Sequence, residues 1–278
     1  MTVAAALCLA ASRARAADPG APRVVTVGGA LTEIVYALGA EALLVGTDTT
    51  SLYPEAARAT PKVGYARALS AEGVLSLRPT VLIATAEAGP PAVLAQLEAA
   101  GVRLVRGDGG HSIDALLRNV RTVGAALGRS EQARKLAAQV EQQWRATAAR
   151  IAPRTPAPRV LFVLSHVATN VQVAGEGTAA AAMIALAAAR NALTGFSGYR
   201  PLTAEAAVAA APEFILTTTQ GAEALGGAER LLAQRGLALT PAARARRVLA
   251  LDALYLLGFG PRMPQAVAEV ARFAGTWA

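Results

Sequence analysis

From Ser130 to Ala152 the chain holds neither glycine nor proline, and this stretch limits the possible folds more than any other feature. Ala133, Leu136, Ala137, Val140 and Trp144 recur at helical spacing. Ser130 is a good N-cap residue, and Glu131 suits the positive end of a helix dipole. Such a helix is on the order of 30 Å long, the width of a small domain. Pro153, Pro156 and Pro158 then break it. On either side, short apolar runs alternate with helical segments. Residues 23–27, 43–46, 81–84 and 102–105 read as strands before the helix, and 160–164, 214–217 and 248–251 after it. Alternation of this kind predicts parallel α/β architecture. The chain therefore divides into an N-terminal lobe (17–128), a connecting helix (129–152) and a C-terminal lobe (153–278).

An internal repeat gives the two lobes a common element. Gly64-Tyr65-Ala66-Arg67-Ala68-Leu69-Ser70-Ala71-Glu72 is echoed, with one residue deleted, by Gly198-Tyr199-Arg200-Pro201-Leu202-Thr203-Ala204-Glu205. Seven residues beyond each glutamate comes a proline, Pro79 or Pro212, and then an apolar strand. In both copies Ser or Thr caps a short helix with the glutamate in its first turn. Capping does not require the preceding Gly-Tyr and Arg. Two lobes with equivalent segments are expected to face each other across a cleft.

Composition excludes several classes of function. A formal net charge of +8 invites a nucleic-acid reading. The arginines are scattered, however, and no zinc-finger or RNA-recognition signature is present, so a nucleic-acid partner is not expected. Residues 1–16 resemble an export signal, with an apolar stretch from Val3 to Ala11 and small residues at Ala14 and Ala16. The apolar run is far shorter than the ~20 residues of a membrane span. Cys8, the one cysteine, lies inside that signal, so the mature chain has no thiol for a disulfide, a metal or catalysis. No Gly-x-Gly-x-x-Gly, Walker or Gly-x-Ser-x-Gly motif occurs, and two distant histidines do not make a hydrolytic metal site. An enzyme is not expected.

The opening block Arg23-Val-Val-Thr-Val-Gly-Gly, then Thr32-Glu33-Ile34-Val35-Tyr36-Ala37-Leu38-Gly39, resembles the start of the haem-specific periplasmic binding proteins of bacterial ABC importers. So do Val45-Gly46-Thr47-Asp48-Thr49-Thr50-Ser51-Leu52-Tyr53-Pro54 and the Gly64–Glu72 block, and the similarity runs through Gly198-Tyr199-Arg200-Pro201-Leu202 to Leu257-Gly258-Phe259-Gly260-Pro261-Arg262. The opening block alone indicates the wider iron-siderophore and cobalamin superfamily; the Gly-Tyr-x-Arg block points to haem. The resemblance implies two Rossmann-like lobes joined by a single long α-helix (a class III periplasmic binding protein), with the ligand in the interlobe cleft. It implies capture of haem b, as one molecule or two, and delivery to an inner-membrane permease dimer, with the protein resident in the periplasm. Tyr65 is then the haem iron ligand, and Glu72 and Glu205 dock on arginines of the permease. Some family members hold a second haem with a histidine of the C-terminal lobe, where His166 lies. Relatives often carry a bulkier residue at Ala66, so a looser pocket wall is expected there. A ferric siderophore or cobalamin is the alternative ligand, and an exported haem sensor or store the alternative role.

The chemistry of these residues agrees with the resemblance. Phenolate oxygen is a hard base suited to ferric iron, and tyrosine is an axial haem ligand elsewhere. A phenol with a pKa near ~10 needs help to ionise. In an extended loop, residues i and i+2 lie on one side, so Arg67 can favour the Tyr65 phenolate. Tyr199 and Arg200 occupy the equivalent place in the second lobe. Arg200 pairs with a haem propionate, tunes Tyr65 across the cleft, or lies on the surface beside Pro201. His166, at a strand end, is a sixth ligand, a second-haem ligand or a cleft-lining residue. His111 reads as an exposed residue at a helix start.

Overall fold

The computed structural model describes residues 20–165 and 171–278. The export-signal segment and His166 lie outside the described residues. The first half runs β1 (Val24–Val27), α1 (Gly29–Ala37), β2 (Leu44–Thr47), α2 (Ala71–Leu75), β3 (Val81–Ala84), α3 (Pro91–Ala99), β4 (Arg103–Arg106) and α4 (Ile113–Ala126). Its four strands form a parallel sheet in the order β2-β1-β3-β4. Central β1 is buried on both faces, as a sheet covered by helices on both sides demands.

After α5 (Ser130–Ala148), the second half contains β5 (Arg159–Ser165), β6 (Val171–Ala174), α6 (Ala179–Leu186), β7 (Arg190–Asn191), β8 (Tyr199–Pro201), α7 (Ala204–Ala210), β9 (Phe214–Thr218), α8 (Thr219–Ala224), α9 (Ala228–Leu232), α10 (Pro241–Arg244), β10 (Val248–Leu251), α11 (Ala253–Leu257) and α12 (Met263–Ala274). Here the sheet is mixed, in the order β10-β9-β5-β6-β8, with β7 paired to β5. The parallel expectation holds for β5, β9 and β10 but not for β6 and β8, which pair antiparallel. Chain length explains the β5–β6 pairing: Ser165 and Val171 are too close in sequence for the crossover of a dozen or more residues that a parallel neighbour needs.

The connecting helix is shorter than expected and starts differently. It ends at Ala148, and Arg129, without a side-chain cap bond, occupies the N-cap where Ser130 was expected. Residues near the expected end are drawn into other backbone pairing: Ile151 bridges to Trp277, and Ala152 N–H donates to Thr276 O at 2.8 Å. At the other end the chain turns sharply from α4 into α5. Gly124 permits this approach, since a Cβ there would collide with that of Ala133. Thus α5 forms a helical hairpin with α4 and is also packed by α12.

Hydrophobic packing joins the halves. One buried cluster runs from Val24, Ile34 and Val120 through Ala133 and Val140 to Phe162, Met183 and Val267. Two smaller clusters cover the far faces, one around Leu82, Leu94 and Leu97 in the first sheet and one around Leu161, Ile215 and Leu231 in the second. The halves do not close two separate cores around a free strut.

One ion pair reinforces that junction. Glu33 on α1 is only 5% exposed. The Arg262 guanidinium, just before α12, donates from Nε and Nη2 to its two carboxylate oxygens, both at 2.9 Å. The same guanidinium lies 3.5 Å above the Tyr53 ring centroid. A planar fork serves both contacts at once, which an ammonium cannot do. Arg262→Ala is expected to leave the Glu33 carboxylate buried without a partner and to lower unfolding free energy by about 3 kcal/mol or more, read from the urea midpoint. Arg262→Lys should recover part of the loss; an unchanged midpoint in the alanine variant would remove the pair from the account of stability.

Candidate functional site

A cavity of about 850 Å³ opens between the two sheets. Its walls are loops that leave the carboxyl ends of strands, the position where α/β sheets offer binding crevices. From the first half come the segments after β1 (Gly28–Leu31), β2 (Thr49, Thr50, Leu52), β3 (Thr85, Glu87) and β4 (Gly107–His111). From the second come Gly177–Ala179, Gly198 and Tyr199, Gln220 after β9, Leu254 and Leu257 of α11, and Phe259 just beyond it. Leucines and phenylalanine supply much of the wall, with convergent polar groups among them.

The loop carrying Tyr65 is held on both sides. Thr49 N–H donates to Gly64 O at 3.0 Å, Gly89 N–H to Ala66 O at 2.9 Å, and Leu69 N–H to Gly89 O at 3.0 Å. Gly64 adopts φ +102, a conformation that side-chain-bearing residues rarely take. The segment is a turn and not the extended loop expected, with Ala68 N–H donating to Tyr65 O at 2.9 Å; Tyr65 and Arg67 line the cavity, while Ala66 turns away into the core of the first sheet. The small residue at Ala66 therefore does not loosen the pocket wall. Tyr65 is 48% exposed and open to an incoming ligand.

The β2 loop is braced from beneath. Asp48, fully buried, accepts from Ser51 Oγ and Thr50 Oγ1, each at 2.6 Å. Ser51 in turn meets Thr32, and Thr32 meets Thr26, both at 2.6 Å. Lys62 Nζ donates to Thr47 Oγ1, Ser51 O and Ala57 O beside this chain of hydroxyls. Burial pushes the Lys62 ammonium below its usual range, against the pull of nearby Asp48.

The second copy of the repeat does not reproduce the first. Tyr199 lines the cavity, with its ring edge-on to Phe162 at 6.5 Å. Arg200, the next residue on β8, points to the opposite side, as strand pleating requires. Its guanidinium lies 3.8 Å over the Phe196 ring, and it does not line the cavity. Burial raises the Tyr199 phenol above its ordinary value, while the charge of Arg67 and the neighbouring Thr178 hydroxyl pull it down. Arg67, from the first copy, thus acts across the cleft on the tyrosine of the second.

His111 is not simply an exposed helix-start residue. It is half-buried and lines the cavity, its ring edge-on to Phe259 at 5.2 Å. The helix start belongs to Ser112, whose hydroxyl caps α4. Thr85, Glu87, Asp108 and Asn119 also reach the wall, and sequence reasoning gave them no role. Thr85 donates to Glu87, and Asp108 is held below the usual carboxylate range by Gly110 N–H and by Arg118 at 2.7 Å. The one sequence signal for Thr85, Glu87 and Asp108 is position, just after the apolar runs of β3 and β4; Asn119, inside α4, has none.

Glu72 and Glu205 lie outside the cavity, exposed in the first turns of α2 and α7. The expected caps are present: Ser70 Oγ accepts from Gly73 N–H and Thr203 Oγ1 from Ala206 N–H. Neither carboxylate has an ion-pair partner among the described residues. Among those residues no group of three His, Cys, Asp or Glu is placed to hold a metal ion, and no helix is long and apolar enough to cross a membrane.

Residues 24–255 match the family model described as periplasmic binding protein. The solved periplasmic heme-binding protein BhuT, in complex with two hemes, is 47% identical with a TM-score of 0.86, covering 93% of this chain and all of that one. Periplasmic heme-binding protein RhuT from Roseiflexus sp. RS-1 is 44% identical with a TM-score of 0.86, covering 92% of this chain and 98% of that one. A curated relative, the uncharacterized ABC transporter substrate-binding lipoprotein YvrC of Bacillus subtilis, is 25% identical over 252 residues, 90% of this chain and 78% of its own length.

The charge relation across the cleft has a direct consequence in the ligand-free protein. Difference titration against Tyr199→Phe, followed in the tyrosinate absorption band, should place Tyr199 ionisation above the ordinary tyrosine value. Arg67→Ala should move it higher still, because a positive neighbour favours phenolate; a downward movement would contradict the placement of Arg67.

Proposed function

The chain belongs to the periplasmic binding protein family, and on that premise we propose that it captures ferric haem in the interlobe cavity and delivers it to an ABC importer. The observation that carries this reading is the facing of Tyr65 and Arg67 into one large, apolar-walled cavity. Near full-length likeness to proteins named for haem binding supports it. The family's proteins are substrate-binding proteins, and we read this chain as a carrier, not a catalyst.

Tyr65 supplies the phenolate oxygen to ferric iron, and its phenolic proton leaves to solvent as the iron binds. Arg67 opposes the charge of that phenolate and holds a permanent cation at the anionic edge of the ligand. Leu254, Leu257 and Phe259 receive the flat apolar body of haem b. Tyr199 closes the opposite wall. The volume, near the upper end of ordinary ligand pockets of roughly 300–1,000 Å³, leaves room to test for a second haem, with His166 as its ligand. Arg200, stacked on Phe196, takes no part in this arrangement unless the β8 side chains change places.

The remaining roles follow the same reading. Residues 1–16 direct export to the periplasm. Residues 17–128 and 153–278 act as lobes about the helical connection at 129–152. Glu72 and Glu205, exposed and unpaired at matched positions, meet arginines of the permease dimer. Nucleic acid is no partner.

Haemin titration of residues 17–278, followed by absorbance with Tyr65→Ala alongside, tests the reading. Saturable binding with a ferric high-spin tyrosinate spectrum is expected, and its loss in the variant. An equivalence point near two haems would bring His166 forward. No saturable binding would transfer the cavity to a ferric siderophore or cobalamin. Reversing both charges, Glu72→Lys with Glu205→Lys, should abolish delivery to the importer and leave haem binding intact.

A further inference from the structure

Five large hydrophobic side chains among the described residues are exposed: Tyr53, Tyr65, Tyr199, Val208 and Leu239. Three of them have a place already, Tyr65 and Tyr199 in the cavity wall and Tyr53 under the Arg262 guanidinium. The other two lie on α7 and on the turn packed against its start. Val208 is 43% exposed and lies one turn along α7 from Glu205, so the two side chains are neighbours on one face. Leu239 is 62% exposed on the turn Leu237–Leu239. That turn is anchored at the start of α7: a Cβ on Gly236 would lie 2.5 Å from Ala204 Cα, next to Glu205 in the chain. The first lobe has no such apolar pair. One turn after Glu72, α2 exposes the hydroxyl residue Ser76 and keeps Leu75 partly buried.

We infer that the C-terminal lobe docks on the permease through a combined acidic and apolar knob formed by Glu205, Val208 and Leu239, whereas the N-terminal lobe docks through Glu72 with polar surroundings. This rests on the docking reading above and deepens it. An unpaired carboxylate beside exposed aliphatic groups is complementary to a basic side chain flanked by apolar surface on the permease. A solvated acid alone gives a contact that salt weakens, and apolar burial adds a component that salt does not screen.

The test measures binding of the haem-loaded full chain to the haem importer of the same genome, reconstituted in nanodiscs. Val208→Ser with Leu239→Ser should weaken binding roughly tenfold, because a few buried side chains carry most of an interface, and the deficit should persist at high salt. Haemin titration should be unchanged, which certifies the fold, and Ser76→Ala should bind within twofold of the parent. Full affinity in the double variant, with Glu72→Lys and Glu205→Lys still abolishing binding, would overturn the knob and spare the docking reading. Parental binding by the charge-reversed protein would overturn both. A dimer of the parent chain that the double variant dissolves, with importer affinity untouched, would assign the apolar pair to self-association and overturn the inference.

Discussion

Burial of Glu33 is tolerable only because Arg262 reaches it from the far end of the chain. The two groups are separated by 229 residues and meet in two equal hydrogen bonds. A carboxylate in that position without its partner costs several kcal/mol. The pair therefore holds α1 of the first half against the turn that begins α12. Around it runs the shared hydrophobic cluster through α4, α5 and α12. The connection between the halves is broad and packed, so the width of the cleft is set by a core and an ion pair as well as by one helix.

With the halves held at this spacing, the cavity follows from strand direction. Parallel strands send their connecting loops out at one end, and β1 to β4 present four loops to the same space as β9 and β10. Two features make the loops reliable walls. The Tyr65 loop is pinned by backbone bonds to Thr49 and Gly89. The Thr49–Leu52 segment rests on the Asp48–Ser51–Thr32–Thr26 chain, a satisfied buried network of the kind that favours a single arrangement over near alternatives. On the proposed reading, Tyr65, half-exposed on a fixed backbone, meets a large planar ligand without first ordering a loop.

Departures from the repeat are as informative as the repeat itself. The Gly-Tyr segments place a tyrosine at the cavity in both halves, yet their arginines part company. Arg67 follows an intervening residue that turns inward, so it shares a side with Tyr65. In the second copy the one-residue deletion puts Arg200 directly after Tyr199, and pleating sends it to Phe196. A single deletion thus leaves Arg67 as the arginine of the repeat that lines the cavity with both tyrosines.

Local sequence determined what depends on local physics. Strands at residues 81–84 and 248–251, the caps at Ser70 and Thr203, and the exposed first-turn glutamates all follow from apolar periodicity, hydroxyl capping and the helix dipole, each acting within a few residues. Tyr65 and Arg67 do line one cavity, but through a turn closed by Ala68 N–H to Tyr65 O and not through the extended loop that local reading expected. Tertiary structure alone decided the rest. The end of α5 at Ala148 depends on pairing of residues 151–152 with 276–277, the antiparallel placement of β8 on how the second sheet is completed, and the position of His111 on Phe259 in the other half. The Glu33–Arg262 pair and the action of Arg67 on Tyr199 join residues more than a hundred positions apart. No local pattern encodes such pairs, because which distant groups share a buried volume is fixed only when the two sheets pack.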